Sequence, residues 1–160
     1  MSLEAVREQL KVILSGVSGI GVIHDHQRFA GEWGKYLAMF QDADGRINGC
    51  EFYREKMLKN QNTMGEREKA HIFVIHRFMG LRDADATGIV FEDHIEDIDA
   101  AFDPIALETL NDTCRTINPD WGPMDGALGI QVDICELRMF GNVLCHFAEL
   151  RLCAIEAIEQ

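Results

Sequence analysis

The last part of the chain alternates apolar and polar residues in two runs, and this pattern constrains the fold more than any other feature. The runs lie between Gly129 and Ile155 and are broken at Phe140-Gly141-Asn142-Val143. A side-chain period of two is typical of β-strands, and Gly-Asn between two such runs predicts a hairpin turn in which glycine supplies the positive φ. Both faces of this predicted hairpin are apolar, so both must be covered by something.

Apolar periodicities upstream of the hairpin predict three helices. Residues 3–15 place apolar side chains at helical spacing, and residues 29–41 do so more loosely. A third helix follows Asp83 or Asp85, either of which can act as its N-cap. The predicted buried stripe of this third helix consists of Phe91, Ile95, Ile98 and Phe102.

Three further segments have the character of strands. Residues 22–26 predict a short strand, residues 47–54 alternate as a strand, and residues 71–78 are apolar on both faces, which is typical of a central strand. Residues 105–126 hold two prolines and are predicted to be irregular. The sequence therefore predicts one α+β domain over residues 1–160, in which three helices flank a mixed or antiparallel sheet of four to five strands with a C-terminal β-hairpin.

Composition narrows the class of partner and the compartment. The formal net charge is −12, and no apolar stretch approaches the ~20 residues of a membrane span. Phosphate binding needs clustered Lys and Arg, so we expect no nucleic acid among the main partners. Because no apolar stretch is long enough to span a bilayer, we also expect no membrane. The five cysteines form no Cys-x-x-Cys pair, and the N-terminus has no secretory pattern. These features favour reduced, buried thiols in the cytoplasm.

The negative charge is concentrated in one segment. Residues 83–112 hold ten acidic residues and neither Lys nor Arg. At helical spacing, one face of the third helix carries Glu92, Glu96, Asp99 and Asp103. Like charges at this spacing repel one another. The face is either simply solvated or a docking surface for a basic partner, which would relieve that repulsion.

Residues 56–69 are polar and poor in strand-forming residues. We predict that they form a long, mobile connection between two strands. Four of them, Met57, Leu58, Lys59 and Met64, are candidates for contact with a partner. Ordering such a segment on binding would cost several kcal/mol, which suits assembly in a fixed order. The alternative is a surface loop without a partner.

Two aspartate-rich segments partly match calcium-binding loops. The run Asp42-Ala43-Asp44-Gly45-Arg46-Ile47 with Glu51 matches several EF-hand positions, but Phe40 occupies the first ligand position. The run from Asp83 to Gly88 has His94 where a bidentate glutamate would complete the shell. An Asp-Gly hairpin turn and an Asp helix cap are the simpler interpretation, with a divergent EF-hand-like calcium-binding module as an alternative.

His24 and His26 lie on one face of the predicted short strand, a spacing that can ligate zinc or another transition metal. A small metal-dependent enzyme is therefore a further alternative, although a histidine in a sheet is usually only hydrogen-bonded. The chain has no Gly-x-Ser-x-Gly elbow and no glycine-rich phosphate loop. We expect no catalytic residue, no resident metal and no cofactor.

The predicted hairpin itself implies association. Three helices can cover one face of a sheet of four or five strands, which leaves apolar surface on the other face partly bare. Exposed apolar surface of this extent marks interfaces. The first half of the chain is close to neutral and the second half is acidic. Unlike surfaces suit a head-to-tail contact, which makes a ring when the rotation closes.

Four segments together resemble the tail-terminator, or tail-completion, proteins of tailed phages and prophages. They are Gly21-Val22-Ile23-His24-Asp25 with Arg28-Phe29 and Trp33, Gly45 to Gly49, His76 to Ala86, and the hairpin from Val132 through Arg138-Met139-Phe140-Gly141 to Leu150. The match covers roughly residues 17–153. None of these segments is catalytic, and the resemblance depends on their order along the chain.

The resemblance implies an α+β domain that assembles as a homo-oligomeric ring, typically a hexamer. Members of this family sit on the head-proximal end of the tail tube, stop its polymerisation and present a surface to the head connector. The implied partners are further copies of the chain, the tail tube protein and the head-connector protein. The implied location is the cytoplasm during assembly and then the virion tail.

Overall fold

A computed structural model describes residues 3–61, 65–103, 109–111, 114–117 and 129–158. They form an α+β arrangement in which helices lie on both faces of a mixed sheet. The helices are α1 (Leu3–Ser15), α2 (Trp33–Ala38) and α3 (Thr87–Phe102). The strands are β1 (Val22–His24), β2 (Asn48–Gln61), β3 (Arg67–Gly80), β4 (Thr109–Asn111), β5 (Cys114–Ile117), β6 (Gln131–Phe140) and β7 (Val143–Ile158).

Three long antiparallel strands, β2, β3 and β7, form the middle of the sheet. The sheet order is β1-β2-β3-β7-β5-β4, with β1 parallel to β2. The outer edge of β7 is shared, because β6 pairs with its first half and β5 with its second half. Five strands lie in segments predicted to be strands. The short strands β4 and β5 lie within residues 105–126, whose predicted irregularity is wrong at these positions.

The C-terminal hairpin is confirmed. Strands β6 and β7 pair up to Phe140 and Val143, with Gly141 and Asn142 as the turn. Gly141 has a φ of 63°, and a Cβ at this position would lie 3.3 Å from the Cβ of Trp33. Glycine therefore meets both the backbone and the packing requirement of the turn.

The predicted mobile connection over residues 56–69 is wrong. Strand β2 continues to Gln61 and β3 begins at Arg67, so Lys56–Gln61 and Arg67–Lys69 are paired strand residues. The reason is tertiary: β7 extends to Ile158 and pairs with Arg67 and its neighbours, which makes this end of β3 an internal strand. Most of these strand residues are exposed and can therefore be polar, which is why the composition resembles that of a loop.

The core lies between the sheet and helices α1 and α3. The four predicted positions of α3, Phe91, Ile95, Ile98 and Phe102, are all buried there. They pack with Val6, Leu10 and Leu14 of α1 and with β-sheet residues that include Phe52, Phe73, Ile75, Leu150 and Leu152. The opposite face carries α2, whose Leu37 and the following Phe40 pack against Phe78, Phe140 and Phe147.

The predicted bounds of α2 and the predicted cap of α3 are wrong. Helix α2 has only six residues, because extended backbone at Glu32 precedes it and a turn follows it. Asp83 and Asp85 belong to a short 3-10 turn, and Ala86, with a φ of 51°, stands at the N-cap of α3 without a side-chain cap. The Thr87 hydroxyl instead binds the backbone of Arg82 and holds this turn.

Candidate functional site

The final hairpin leaves apolar side chains in contact with solvent. Leu137 is 50% exposed and Met139 is 58% exposed, and Leu144 lies directly opposite Met139 on the same face. Val132, on β6, is 43% exposed. Within the described residues, the outer edge of β6 has no partner strand. The bare apolar surface therefore lies at one end of the sheet and not across a whole face, since helices occupy both faces.

The four acidic residues predicted for α3 form one surface, which we call the acidic face: Glu92, Glu96, Asp99 and Asp103. Asp99 is half-buried, while the other three are exposed. Burial raises the pKa of Asp99, and the charges of Asp103 and Glu96 raise it further. No Lys or Arg in the described part of the chain forms an ion pair with this face.

The acidic face adjoins the exposed surface of β6. Burial raises the pKa of Cys135, and the nearby charge of Glu92 adds to this effect. Cys135 shares a face of β6 with Leu137 and Met139 because strand side chains alternate. Phe91 of α3 stacks on His146, which lies directly opposite Leu137 of β6, so α3 packs on the same side of the hairpin as these apolar residues.

The remaining predicted partner residues lie near the tip of the β2–β3 hairpin. Met57 is 40% exposed and Leu58 is 37% exposed, and as successive strand residues they point to opposite faces. Lys59 is exposed, and Met64 lies outside the described residues. The strand register places this tip at the opposite end of the sheet from the β6–β7 turn. The predicted interface residues therefore do not form one continuous site with the hairpin turn.

The two histidines of the predicted metal alternative have protein partners. The His24 Nε2 donates to the Met39 carbonyl at 2.7 Å, and the Arg28 guanidinium donates to His24 Nδ1 at 3.2 Å. His26 lies beyond the end of β1, and its Nδ1 contacts Asp25 Oδ1 at 3.0 Å. Nowhere in the described ranges do three or more His, Cys, Asp or Glu side chains converge as metal ligands.

The first aspartate-rich segment is a hairpin turn. Asp42 Oδ1 accepts the N–H groups of Asp44 and Arg46, each at 3.0 Å. The Gly45 N–H donates to the Asp42 carbonyl at 3.0 Å, and Gly45 has a φ of 75°. Because its Oδ1 already accepts two backbone donors, Asp42 acts here as a turn residue.

Three buried thiols are chemically quiet. Burial raises the pKa of Cys50 and Cys153 to about 12 and that of Cys145 to about 11. Since the thiolate is the reactive form, these cysteines act as small apolar residues. Cys135 is exposed, which corrects the expectation that the thiols are buried.

A ladder of charged side chains crosses the three long strands. Glu51, His76 and Glu149 lie side by side in register on β2, β3 and β7. His76 contacts Glu51 and Glu149 through its two ring nitrogens, at 3.1 Å each. Arg151 extends the network with bonds to Glu149, Asp133 and Glu55, which link β7 to β6 and β2.

Glu51 is the buried centre of this ladder, with 1% of its surface exposed. It also accepts the Tyr36 hydroxyl at 2.7 Å and the Arg28 N–H at 2.8 Å. Burial alone would raise the pKa of Glu51, but the bonds from His76, Arg28 and Tyr36 hold it below its usual range. Both ring nitrogens of His76 contact carboxylates, so the ring has no free nitrogen to act as a general base. The ladder instead holds the three strands together.

A second buried charge, Arg77, is fully enclosed on the other face of β3. Its guanidinium donates to the Gly49 and Phe78 carbonyls at 3.0 and 2.7 Å, and also to Asn48 and His94. Its Nε has no partner, and no described carboxylate lies within ion-pairing distance of it. Burial lowers the pKa of Arg77 to about 10.

A cleft of about 550 Å³ lies in front of Arg77. The wall of the cleft includes three residues that bond to Arg77, namely Gly19, Asn48 and His94. Arg46 and Arg82 also line the cleft. Sequence patterns gave no sign of this cleft or of the Glu51 ladder. Both depend on the strand register, which sets residues distant in sequence side by side.

No model of a known protein family matches the chain, and no curated protein matches it significantly. No helix in the described ranges is long and apolar enough to cross a bilayer. The function of the chain is therefore proposed from its sequence segments and its surfaces.

Proposed function

We propose that this chain is a tail-assembly protein of a tailed phage or prophage, which caps the tail tube as a self-associating ring and forms a head–tail joining surface. The class of protein rests on the resemblance of the four sequence segments. The observation that supports association is the exposed apolar surface of the β6–β7 hairpin, formed by Leu137, Met139 and Leu144. Its partners are further copies of the chain, the tail tube protein and the head-connector protein.

An exposed edge strand makes a monomeric protein prone to aggregation. Among the described strands none pairs with the outer edge of β6, and this edge lies next to exposed apolar side chains, a combination that favours unwanted pairing. Half-exposed side chains such as Leu137 and Met139 would each contribute about 1 kcal/mol on burial in an interface. A partner that covers this edge both removes the hazard and gains that free energy.

The mechanism is steric and requires no chemical step. A ring seated on the last tube ring occupies the surface that the next tube subunit would bind, and polymerisation stops. Its outer surface then meets the head connector. The chain would act in the cytoplasm during assembly and remain in the virion tail.

The decisive experiment compares tails made with and without this protein. Electron microscopy of lysates from the encoding phage or prophage, with the gene deleted, is expected to show tubes of uncontrolled length and no joined heads. Complementation with the wild-type gene should restore uniform tails. Tails of normal length that join heads in the deletion strain would contradict the proposal.

Purified components give a second test. Polymerisation of the tail tube protein, followed by light scattering, should stop when the chain is added in small molar amounts relative to tube subunits. A chain carrying Leu137→Ser and Met139→Ser should stop it less effectively, whereas Val12→Ser, which alters an exposed apolar residue of α1, should behave as wild type.

A further inference from the structure

Strand β6 has a regular stretch along the edge that no described strand covers. Its pairing with β7 is irregular between Val132 and Ile134 and regular from there to Phe140. We call residues 134–140 the β6 edge. This edge has seven residues, and Leu137 is its midpoint. A regular strand at the end of a sheet is the kind of element that a strand from another chain can extend.

The hairpin turn determines which backbone groups of the β6 edge point outward. In a hairpin with a two-residue loop, the residues that flank the loop form a hydrogen-bonded pair, and such pairs then occur at every second position. Phe140 flanks the loop opposite Val143, so it and every second residue before it bond to β7. The N–H and C=O groups of the residues between them, Cys135, Leu137 and Met139, therefore point away from β7.

The two sides of the β6 edge differ in chemistry. The three residues whose backbone groups point outward are all exposed and share the side on which α3 packs. The other side carries Glu136 and Arg138, whose side chains form an ion pair in which Arg138 Nε donates to Glu136 Oε1 at 2.8 Å. The Arg138 guanidinium also lies 4.3 Å from the centre of the Phe147 ring. One side is thus apolar, and the other holds one acid and one base in place.

We propose that the β6 edge pairs with the β6 edge of a second copy, antiparallel and with Leu137 opposite its own counterpart. This register uses all seven regular residues of both copies. It sets the outward backbone groups of Leu137 against each other, and those of Cys135 against those of Met139, so that hydrogen bonds form across the pair. The exposed apolar side chains of the two copies then make one continuous row.

The charges select the same register, and this is what identifies a second copy as the occupant. With Leu137 at the centre, Glu136 of each copy lies directly opposite Arg138 of the other. A two-fold antiparallel pair can shift only by taking a neighbouring residue as its centre. Centring on Glu136 sets glutamate against glutamate, and centring on Arg138 sets arginine against arginine. Like charges directly opposite each other destabilise a sheet, so both shifted registers are disfavoured.

The pair is a state of the free chain and does not depend on the proposed function. Because the same surface is used on both copies, the contact closes with two chains and joins their sheets into one. It is therefore a contact separate from the ring. Pairing covers Leu137 and Met139, which are otherwise half-exposed, until another partner covers this edge.

Disulfide trapping tests the register directly. Residues opposite each other in a hydrogen-bonded antiparallel pair have Cα atoms about 5.5 Å apart, which is within the range of a disulfide. A chain with Cys135→Ser and Leu137→Cys is expected to form a linked dimer under mild oxidation, because its two new thiols face each other. The chain with Cys135→Ser alone is the control for linking through other cysteines. Non-reducing gels measure the linked fraction.

The substitution Met139→Cys gives an independent check of the register. In the proposed pair, residue 139 of one copy faces Cys135 of the other, so this chain should also link. Adding Cys135→Ser should abolish the linking, because residue 139 then faces no thiol. The register is overturned if Leu137→Cys links no more than the control, or if Met139→Cys still links without Cys135.

Charge reversal tests the contact without new cysteines. Glu136→Arg alone sets arginines against each other, and its dissociation constant is expected to rise about tenfold relative to wild type; Arg138→Glu alone has the mirror effect. The chain with both changes restores opposite charges and should bind within about threefold of wild type. Glu8→Arg makes the same charge change at an exposed position of α1 and should bind like wild type. Sedimentation velocity gives the dissociation constants.

Circular dichroism melting checks that every variant is folded. The inference is overturned if a single reversal leaves association intact, if the folded double reversal does not recover it, or if the wild-type chain is monomeric at high micromolar concentration. Failure of the proposed function is a separate outcome. A chain that pairs in this register but does not stop tube growth keeps the contact and loses the role in tail assembly. A chain that stops tube growth without pairing through β6 keeps the role and loses the contact.

Discussion

At the scale of single residues, the fold depends on close approaches that only glycine permits. Gly21 has a φ of 74°, and a Cβ there would overlap the Asn48 carbonyl. Gly21 leads into β1 and Asn48 begins β2, so this close approach lies where the parallel pairing of the two strands starts.

Replacing Gly21 with Ala is therefore expected to be strongly destabilising, by about 2 kcal/mol or more, because it adds backbone strain to a backbone clash. The matched control is Gly34→Ala. Gly34 lies within α2 and nothing lies near its missing Cβ, so this change is expected to stabilise by about 0.5–1 kcal/mol. Urea unfolding measures both. Equal effects of the two substitutions would contradict the assignment.

The lowered pKa of Glu51 predicts how the free energy of unfolding changes in acid. Its pKa is lowered in the folded protein, so its contribution to stability is complete above its usual pKa of 4.5 and is lost as the pH falls through the lowered value. Wild type should therefore lose free energy of unfolding as the pH falls below about 5. Glu51→Gln should cost about 1–3 kcal/mol at neutral pH, because it disturbs buried hydrogen bonds, and should show a shallower acid dependence.

The comparison for Glu51→Gln is Glu8→Gln on the exposed surface of α1. Guanidinium unfolding curves between pH 7 and pH 3 are the measurement. If the Glu51 variant and wild type lose stability in parallel, the ladder does not hold the carboxylate as described.

At the scale of elements, strand β6 behaves differently from its partner β7. Both alternate apolar and polar residues, yet β7 is buried over most of its length and β6 is largely exposed. The cause is position: β7 lies between β3 and the pair β5 and β6, whereas no described strand lies outside β6. An alternating pattern predicts a strand but not its place in the sheet.

The exposed residues of β6 should contribute to association and not to folding. Leu137→Ser with Met139→Ser is expected to raise the dissociation constant about 30-fold, because each substitution removes about 1 kcal/mol of binding free energy from apolar burial. Its thermal midpoint at low concentration should stay close to that of wild type. Val12→Ser is the matched exposed substitution on α1. Unchanged association together with a lower midpoint would show that these residues serve the fold.

At the scale of the whole molecule, the net charge predicts how association responds to salt. The net charge is −12, so copies of the chain repel one another. Raising NaCl from 0.1 M to 1 M shortens the screening length from about 10 Å to about 3 Å. The dissociation constant of the oligomer should then fall, since the repulsion is screened and the apolar contacts persist.

Sedimentation velocity over this salt series is the measurement. Association that weakens with salt would mean that attraction between charged groups of neighbouring copies outweighs the general repulsion between acidic chains. The chain with Glu4→Lys and Glu8→Lys is the useful comparison, because it makes the net charge less negative at exposed residues of α1.

Much of the local structure could be predicted from the sequence because it depends on residues that are close together along the chain. The bounds of α1, the buried stripe of α3 and the Gly141 turn depend on periodicity and on the backbone freedom of glycine. The loop predicted over residues 56–69 failed because its polar composition is a local property. Its strand character comes from pairing with the distant end of β7.

The sequence by itself determined the α+β class, the closing hairpin and the concentration of negative charge on α3, since each is carried by short-range pattern. Only the tertiary structure decided that Glu51, His76 and Glu149 form a ladder, that Arg77 is buried without a described carboxylate beside it, and that a cleft lies in front of Arg77. These features join residues up to about a hundred positions apart. Strand register and helix packing set such contacts, and both are fixed by the free energy of the whole fold.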